Sequence, residues 1–142
     1  MIWKTIVVGV DDSDASKRAL RRTADLALET KARVVVTSVA PVLSGMAAGH
    51  GIGPYDPADS REAHEIELLH AKDYLTERGV QVGVELGIGG AADSIVSAAE
   101  THEADLIVVG TREPGFLGRL LAGSVSQAVA RKAHCDVLIV HE

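Results

Sequence analysis

The sequence predicts one α/β domain over residues 1–142: a doubly wound, five-stranded parallel sheet with helices on both faces. Three observations lead there. Five short apolar runs, most of them rich in β-branched residues, punctuate the chain. Segments with helical spacing separate them. The resulting order, βαβ, a long loop, then αβαβαβ, is that of strands joined by crossover helices.

The elements follow in order. Residues 5–10 (TIVVGV) form a strand buried on both faces. Asp11, Asp12, Ser13 and Asp14 supply capping chemistry, and residues 15–30 place Ala19, Leu20, Ala24, Ala27 and Leu28 at helical spacing. Residues 33–39 (RVVVTSV) form the second strand, closed by Pro41. Residues 44–57 hold four glycines and two prolines with little periodicity and read as a long loop. Residues 59–78 form a charged helix, with Gly79 as its stop. A weaker strand over 80–86, a helix over 91–102, a strand over 105–109, a helix over 124–132 and a strand over 137–140 complete the pattern. There is no internal repeat and no low-complexity tract.

Composition narrows the function. A net charge of -6 argues against nucleic acid or an anionic membrane as the main partner. One Trp, two Tyr and one Phe, scattered, make a base-stacking surface unlike this chain. Cys135 is the single cysteine, so no internal disulfide is possible. No apolar run reaches membrane-spanning length, and no cleavable apolar leader precedes the first strand. A soluble cytoplasmic protein is expected.

In open parallel sheets ligands lie beyond the carboxyl ends of the strands. That directs attention to residues 10–13, 39–41 and 110–124. The last is the most informative. A strand ends at Gly110, a loop with Arg112 and Arg119 follows, and Gly123-Ser124 opens a helix. A helix N-terminus with glycines and arginines nearby is suited to a phosphate. The bland alternative is a simple N-cap, and loop length favours the functional one. No GxxxxGK[ST] motif occurs, which excludes a standard P-loop hydrolase.

These residues, with IVVGVDDSDAS, SVAP, GGAADSIVSAA, ADLIVVGT and GSVSQAVARKAHCDVLIV, resemble the universal stress proteins, an adenine-nucleotide-binding α/β family. The resemblance covers nearly the whole chain. It implies a strand order of 3-2-1-4-5 and a site between strands one and four. It implies an adenine nucleotide as ligand: ATP, AMP or cyclic AMP, with or without Mg²⁺. Val39 would hold adenine through its backbone and Asp11 the ribose side. Gly110, Gly123, Ser124 and Val125 would take the phosphates, with Arg112 and Arg119 as helpers. Val10 and Val109, at the ends of the two flanking strands, complete the expected set. The family also implies a homodimer through the last strand, residues 137–140.

The match fails at one point. Nucleotide-binding members carry G-x2-G-x9-G-[ST]; here Glu113 stands at the second glycine, with Gly110, Gly123 and Ser124 in register. Glu113 adds negative charge beside a polyanion, and Pro114 biases it away from the left-handed region. Weakened triphosphate affinity is the expectation. The alternative is a Glu113 that faces solvent and pairs with Arg112 or Arg119.

Other motifs carry less. Asp12-x-Asp14-x-Ser16 imitates a phosphatase nucleophile motif, but helical spacing resumes at once and no cap domain fits in this length. Residues 87–92 (GIGGAA) match GxGxxA, yet too little chain follows for a second nucleotide-binding half. His50, His64, His70, His102, His134 and His141 form no i, i+4 ligand pair, so no metal site is expected. Cys135 reads as a small apolar residue at the amino end of the sheet. No general base and nucleophile pair stands out, so at most weak ATP hydrolysis is expected. A stress-response sensor or regulator is the leading expectation. A nucleotide-independent dimer acting through protein interaction, and a small phosphoryl-transfer enzyme using Asp11 or Asp12, are the alternatives.

Overall fold

Runs of Val and Ile pair side by side because their branched side chains fill both faces of a buried sheet. The structure, a computed structural model, describes residues 2–11, 13–38, 61–87, 90–111 and 124–141. Its elements are β1 (Thr5–Val10), α1 (Asp14–Thr30), β2 (Arg33–Ser38), α2 (Arg61–Glu77), β3 (Val82–Glu85), α3 (Ala91–Thr101), β4 (Leu106–Gly110), α4 (Ser124–Lys132) and β5 (Asp136–Val140). The strand order is β3-β2-β1-β4-β5, and every neighbouring pair is parallel. The order expected from the resemblance is the order found.

The two faces divide by parity. Ile6, Val8 and Val10 of β1, Val34 and Val36 of β2, and Leu106 and Val108 of β4 pack with Ala19, Ala24 and Ala27 of α1 and Leu68, Ala71 and Leu75 of α2. Val7, Val35, Ile107 and Val109 pack with Ile95, Val96, Ala98 and Ala99 of α3 and Val129 of α4. Alternate residues of one strand therefore serve two cores. Small alanines on α1 and α3 let those helices lie close to the sheet.

Several boundaries differ from expectation by a residue or two, and those of β3 and β4 bear on the site. The third strand is shorter than residues 80–86, because Val80 closes α2 rather than starting β3. Its N–H donates to the Leu75 carbonyl at 3.1 Å, and the preceding Gly79 takes φ +85. The fourth strand runs one residue later than 105–109, starting at Leu106 and ending at Gly110, which pairs with Val140. The expected loop over residues 44–57 lies outside the described residues.

Short turns close the amino edge of the sheet. Asp105 Oδ2 accepts from the backbone N–H of Lys4 at 2.8 Å and of Thr5 at 3.0 Å, tying the start of β1 to the start of β4. Trp3 Nε1 donates to Asp136 Oδ2 at 3.0 Å, tying the same segment to β5.

Candidate functional site

The strand order reverses direction of growth between β1 and β4. β1 leads through α1 to β2 on one side, and β4 lies on the other. Their carboxyl ends diverge into segments that leave on opposite faces, which is where a crevice forms in such sheets. Val10 and Asp11 stand at the end of β1, and Val109, Gly110 and Thr111 at the end of β4. Ser124 opens α4, with Val125 half-buried and Ser126 buried behind it. The nine residues of α4 span about 13 Å, which sets Ser124 at the carboxyl edge and Lys132 near the start of β5.

Sequence-expected residues therefore fall into two groups. Val10, Asp11, Val109, Gly110, Ser124 and Val125 belong to elements that converge on the carboxyl edge between β1 and β4. Val39, Arg112, Gly123, Asp12, Glu113 and Arg119 lie outside the described residues.

Asp11 is built into the entry of α1. Its Oδ1 accepts from the Ser13 N–H at 2.7 Å, and its own N–H donates to Ser16 Oγ at 2.8 Å. Ser13 is the N-cap, in extended conformation, and its Oγ accepts from the Ser16 N–H at 3.1 Å. Ser13 thus makes the N-cap half of a capping box, while Ser16 Oγ reaches past the cap residue to Asp11 and Asp11 itself accepts from the cap N–H. The carboxylate lies just before the first turn of the helix, where the positive end of the dipole favours it. Sequence reasoning placed Asp11 here and missed Ser16; the S-x-x-S spacing from Ser13 was the available signal.

Gly110 has a packing reason as strong as any ligand reason. A Cβ built on it would lie 2.3 Å from the Ala15 carbonyl oxygen and 2.7 Å from the Ala15 carbonyl carbon. Both are backbone atoms of the first turn of α1, so no side-chain rotation relieves the clash. The absence of a side chain at 110 lets the α1 N-terminus lie against the end of β4. Gly87 allows a similar approach beyond β3, with a Cβ position 2.9 Å from Ser94 Cβ and 3.2 Å from the Ser38 carbonyl oxygen. Gly87 therefore serves close helix packing, while Gly90 is the N-cap of α3 at φ −65 and makes no side-chain cap bond.

Buried polar side chains gather near this edge. Thr37 and Ser38, the last residues of β2, are buried, and Thr37 Oγ1 has no hydrogen-bond partner among the described residues. His64 occupies the first position of the buried stripe of α2 that continues through Leu68, Ala71 and Leu75. Its Nδ1 lies 3.4 Å from Glu67 Oε2, and its Nε2 is buried without a partner among the described residues. Sequence reasoning gave Thr37 no role and weighed His64 only as a metal ligand; its spacing with the apolar stripe was the signal that it is buried. Among the described residues no group of three or more His, Cys, Asp or Glu side chains could hold a metal ion. No helix among them is long and apolar enough to cross a membrane.

A model of the universal stress protein family matches residues 3–141. The chain belongs to that family. It is 36% identical over 144 residues to a universal stress protein of Methanocaldococcus jannaschii, covering 98% of this chain and 82% of that one. Among solved structures, a universal stress protein in complex with cAMP superposes with a TM-score of 0.76 at 30% identity, covering 99% of both chains. The universal stress protein from Archaeoglobus fulgidus in complex with dAMP superposes with a TM-score of 0.68 at 29% identity, covering 98% of both.

Proposed function

We propose that this universal stress protein binds an adenine nucleotide at the carboxyl edge between β1 and β4, and acts as a stress-response sensor or regulator. The observation that carries the reading is the reversal of strand order there. It brings the end of β1, the end of β4 and the start of α4 to one edge. The complexes of similar family members with cAMP and dAMP support the ligand class.

In this reading Val39 holds the adenine through its backbone and Asp11 faces the ribose, with Val10 and Val109 as apolar walls. The first-turn N–H groups of α4, at Ser124 and Val125, take phosphate oxygens because such groups have no partner within their own helix. Gly110 and Gly123 admit the close approach, and Arg112 adds charge. ATP would arrive with Mg²⁺, which its phosphates and water hold. The engagement of Asp11 Oδ1 in the α1 cap makes this carboxylate a fixed orienting group rather than a nucleophile.

Glu113 sets the choice of nucleotide. A carboxylate beside the phosphates costs a triphosphate more than a monophosphate, so AMP and cyclic AMP are favoured over ATP. Isothermal calorimetry with the three nucleotides, with and without Mg²⁺, tests this. Tighter ATP binding by Glu113→Gly supports the account, and unchanged or weaker binding opposes it.

Glu113-Pro114 also favours a second reading, a nucleotide-independent dimer acting through protein contacts. Among the described residues β5 has a hydrogen-bonded neighbour on one side alone, β4, and its Val137, Leu138 and Ile139 are half-buried. A second copy pairing there would cover that edge. We place the dimer in the cytoplasm. A monomeric mass by light scattering at micromolar concentration would remove the dimer.

A further inference from the structure

The opposite edge of the sheet holds a cleft that the nucleotide reading does not use. It lies between the end of α3, the turn into β4 and the segment joining α4 to β5, and its volume is about 180 Å³. Its floor is hydrocarbon: Val96, Ala99, Ala104, Ile107 and Ala133. Its rim carries Glu100, Glu103, His134 and Cys135, and among the described residues no Lys or Arg lines it. His134 Nε2 lies 3.6 Å from Glu100 Oε1 on the exposed side.

Glu103 stands at this rim at a conformational cost. It has φ +52, in the left-handed region, as the residue after the α3 C-cap. The neighbouring Ala104 N–H donates to the Ala99 carbonyl at 2.8 Å, which completes the Schellman turn. Glycine is the ordinary residue there, and glycine would leave the rim without this carboxylate.

We infer that this amino-edge cleft is a second binding site, for a small organic cation with an apolar body and an ammonium head. The body fits the hydrocarbon floor. Apolar cavities of about 150 Å³ admit benzene, and drug-sized ligands need about 300 Å³ or more, so the occupant is one ring or a short chain. The head meets Glu103 and Glu100. The surrounding field has the matching sign. The Cys135 thiol pKa is raised, first by burial and then by the carboxylates of Asp136 and Asp105. Of these causes the two carboxylates favour a cation, while burial disfavours a charge of either sign, so the ammonium head belongs at the exposed rim rather than on the floor. The rim carboxylates Glu100 and Glu103 disfavour an anionic nucleotide in this cleft, so the two sites are tested separately.

Methyl NMR of the full chain tests the inference, with benzylammonium chloride as probe and benzyl alcohol and sodium benzoate as its neutral and anionic counterparts. The expected result is saturable shifts of the Val96, Ile107, Ala99 and Ala104 methyls with benzylammonium. Benzyl alcohol should bind about five-fold more weakly, the scale of one partly exposed ion pair, and benzoate should not saturate. Glu103→Gln should weaken benzylammonium by about the same factor and leave benzyl alcohol unchanged. Ala133→Leu, which fills the floor, should abolish both. Equal binding of the three probes, no saturation, or indifference to Glu103→Gln overturns the inference. So does a response that appears on dilution to a monomer, which would put a second copy of this chain over the cleft.

Discussion

The two edges of one sheet are built differently. At the amino edge α1, α2 and α3 each end in the same Schellman turn. The N–H groups of Ala32, Val80 and Ala104 reach back to the carbonyls of Ala27, Leu75 and Ala99. The left-handed positions are held by Lys31, Gly79 and Glu103. Asp105 and Asp136 then tie the chain start to β4 and β5. At the carboxyl edge residues 11–13 lead from β1 into α1. There the backbone of one element approaches another closely, as at Gly110 against Ala15 and Gly87 against Ser94. At the amino edge Gly79 has open space around it, while at the carboxyl edge, which carries the proposed nucleotide site, Gly110 and Gly87 are held by steric fit.

Paired glycine substitutions are the strongest way to break this contrast. Gly110→Ala should destabilise by about 3 kcal/mol or more, since backbone at 2.3 Å must move. Gly79→Ala should cost about 1 kcal/mol, because its Cβ meets nothing within 4 Å and only its φ of +85 resists. Urea unfolding compares the two, and similar losses would erase the distinction. Next in size, Asp105→Ala should cost about 1–2 kcal/mol by orphaning the N–H groups of Lys4 and Thr5. Ser13→Ala should cost about 1 kcal/mol through its lost cap, and should also loosen the turn that fixes Asp11. Smallest, and of opposite sign, Glu103→Gly should stabilise by about 0.5–1 kcal/mol while losing the rim carboxylate.

The Cys135 thiol gives a pH test of the amino edge. Its pKa is raised on folding, so the folded state holds the proton more tightly. The stability from this group is complete below the ordinary cysteine range, about 8.5, and falls as pH rises through that value towards the raised folded one. Alkylation by iodoacetamide at pH 8 should accordingly be slower in the folded chain than in urea. Equal rates would contradict the burial and the acidic field together.

The sheet was legible from residue type because buried parallel strands need unbroken β-branched runs, and TIVVGV, RVVVTS and LIVVG supply them. β3 was less legible. Its Val82–Glu85 is an edge strand with a half-exposed pattern, so hydrophobicity marks it weakly, and Val80 belongs to the helix stop. At the site, Asp11 and Gly110 could be placed from their positions after strands. The second role of each could not. The engagement of Asp11 with Ser16 depends on how the chain turns into α1, and the approach of Ala15 to Gly110 on how α1 docks against β4, a contact between segments some 95 residues apart in sequence. The acidic cleft was illegible for the same reason, since its wall joins α3 to the turn before β5.

The central claim is that the adenine nucleotide binds at the carboxyl edge. Amide NMR during titration with AMP tests it most directly. The account predicts shifts concentrated at Val10, Asp11, Gly110, Thr111, Ser124 and Val125, with Ala104, Ala133 and Cys135 unmoved. Shifts centred on the amino edge, or none at millimolar AMP, would contradict it.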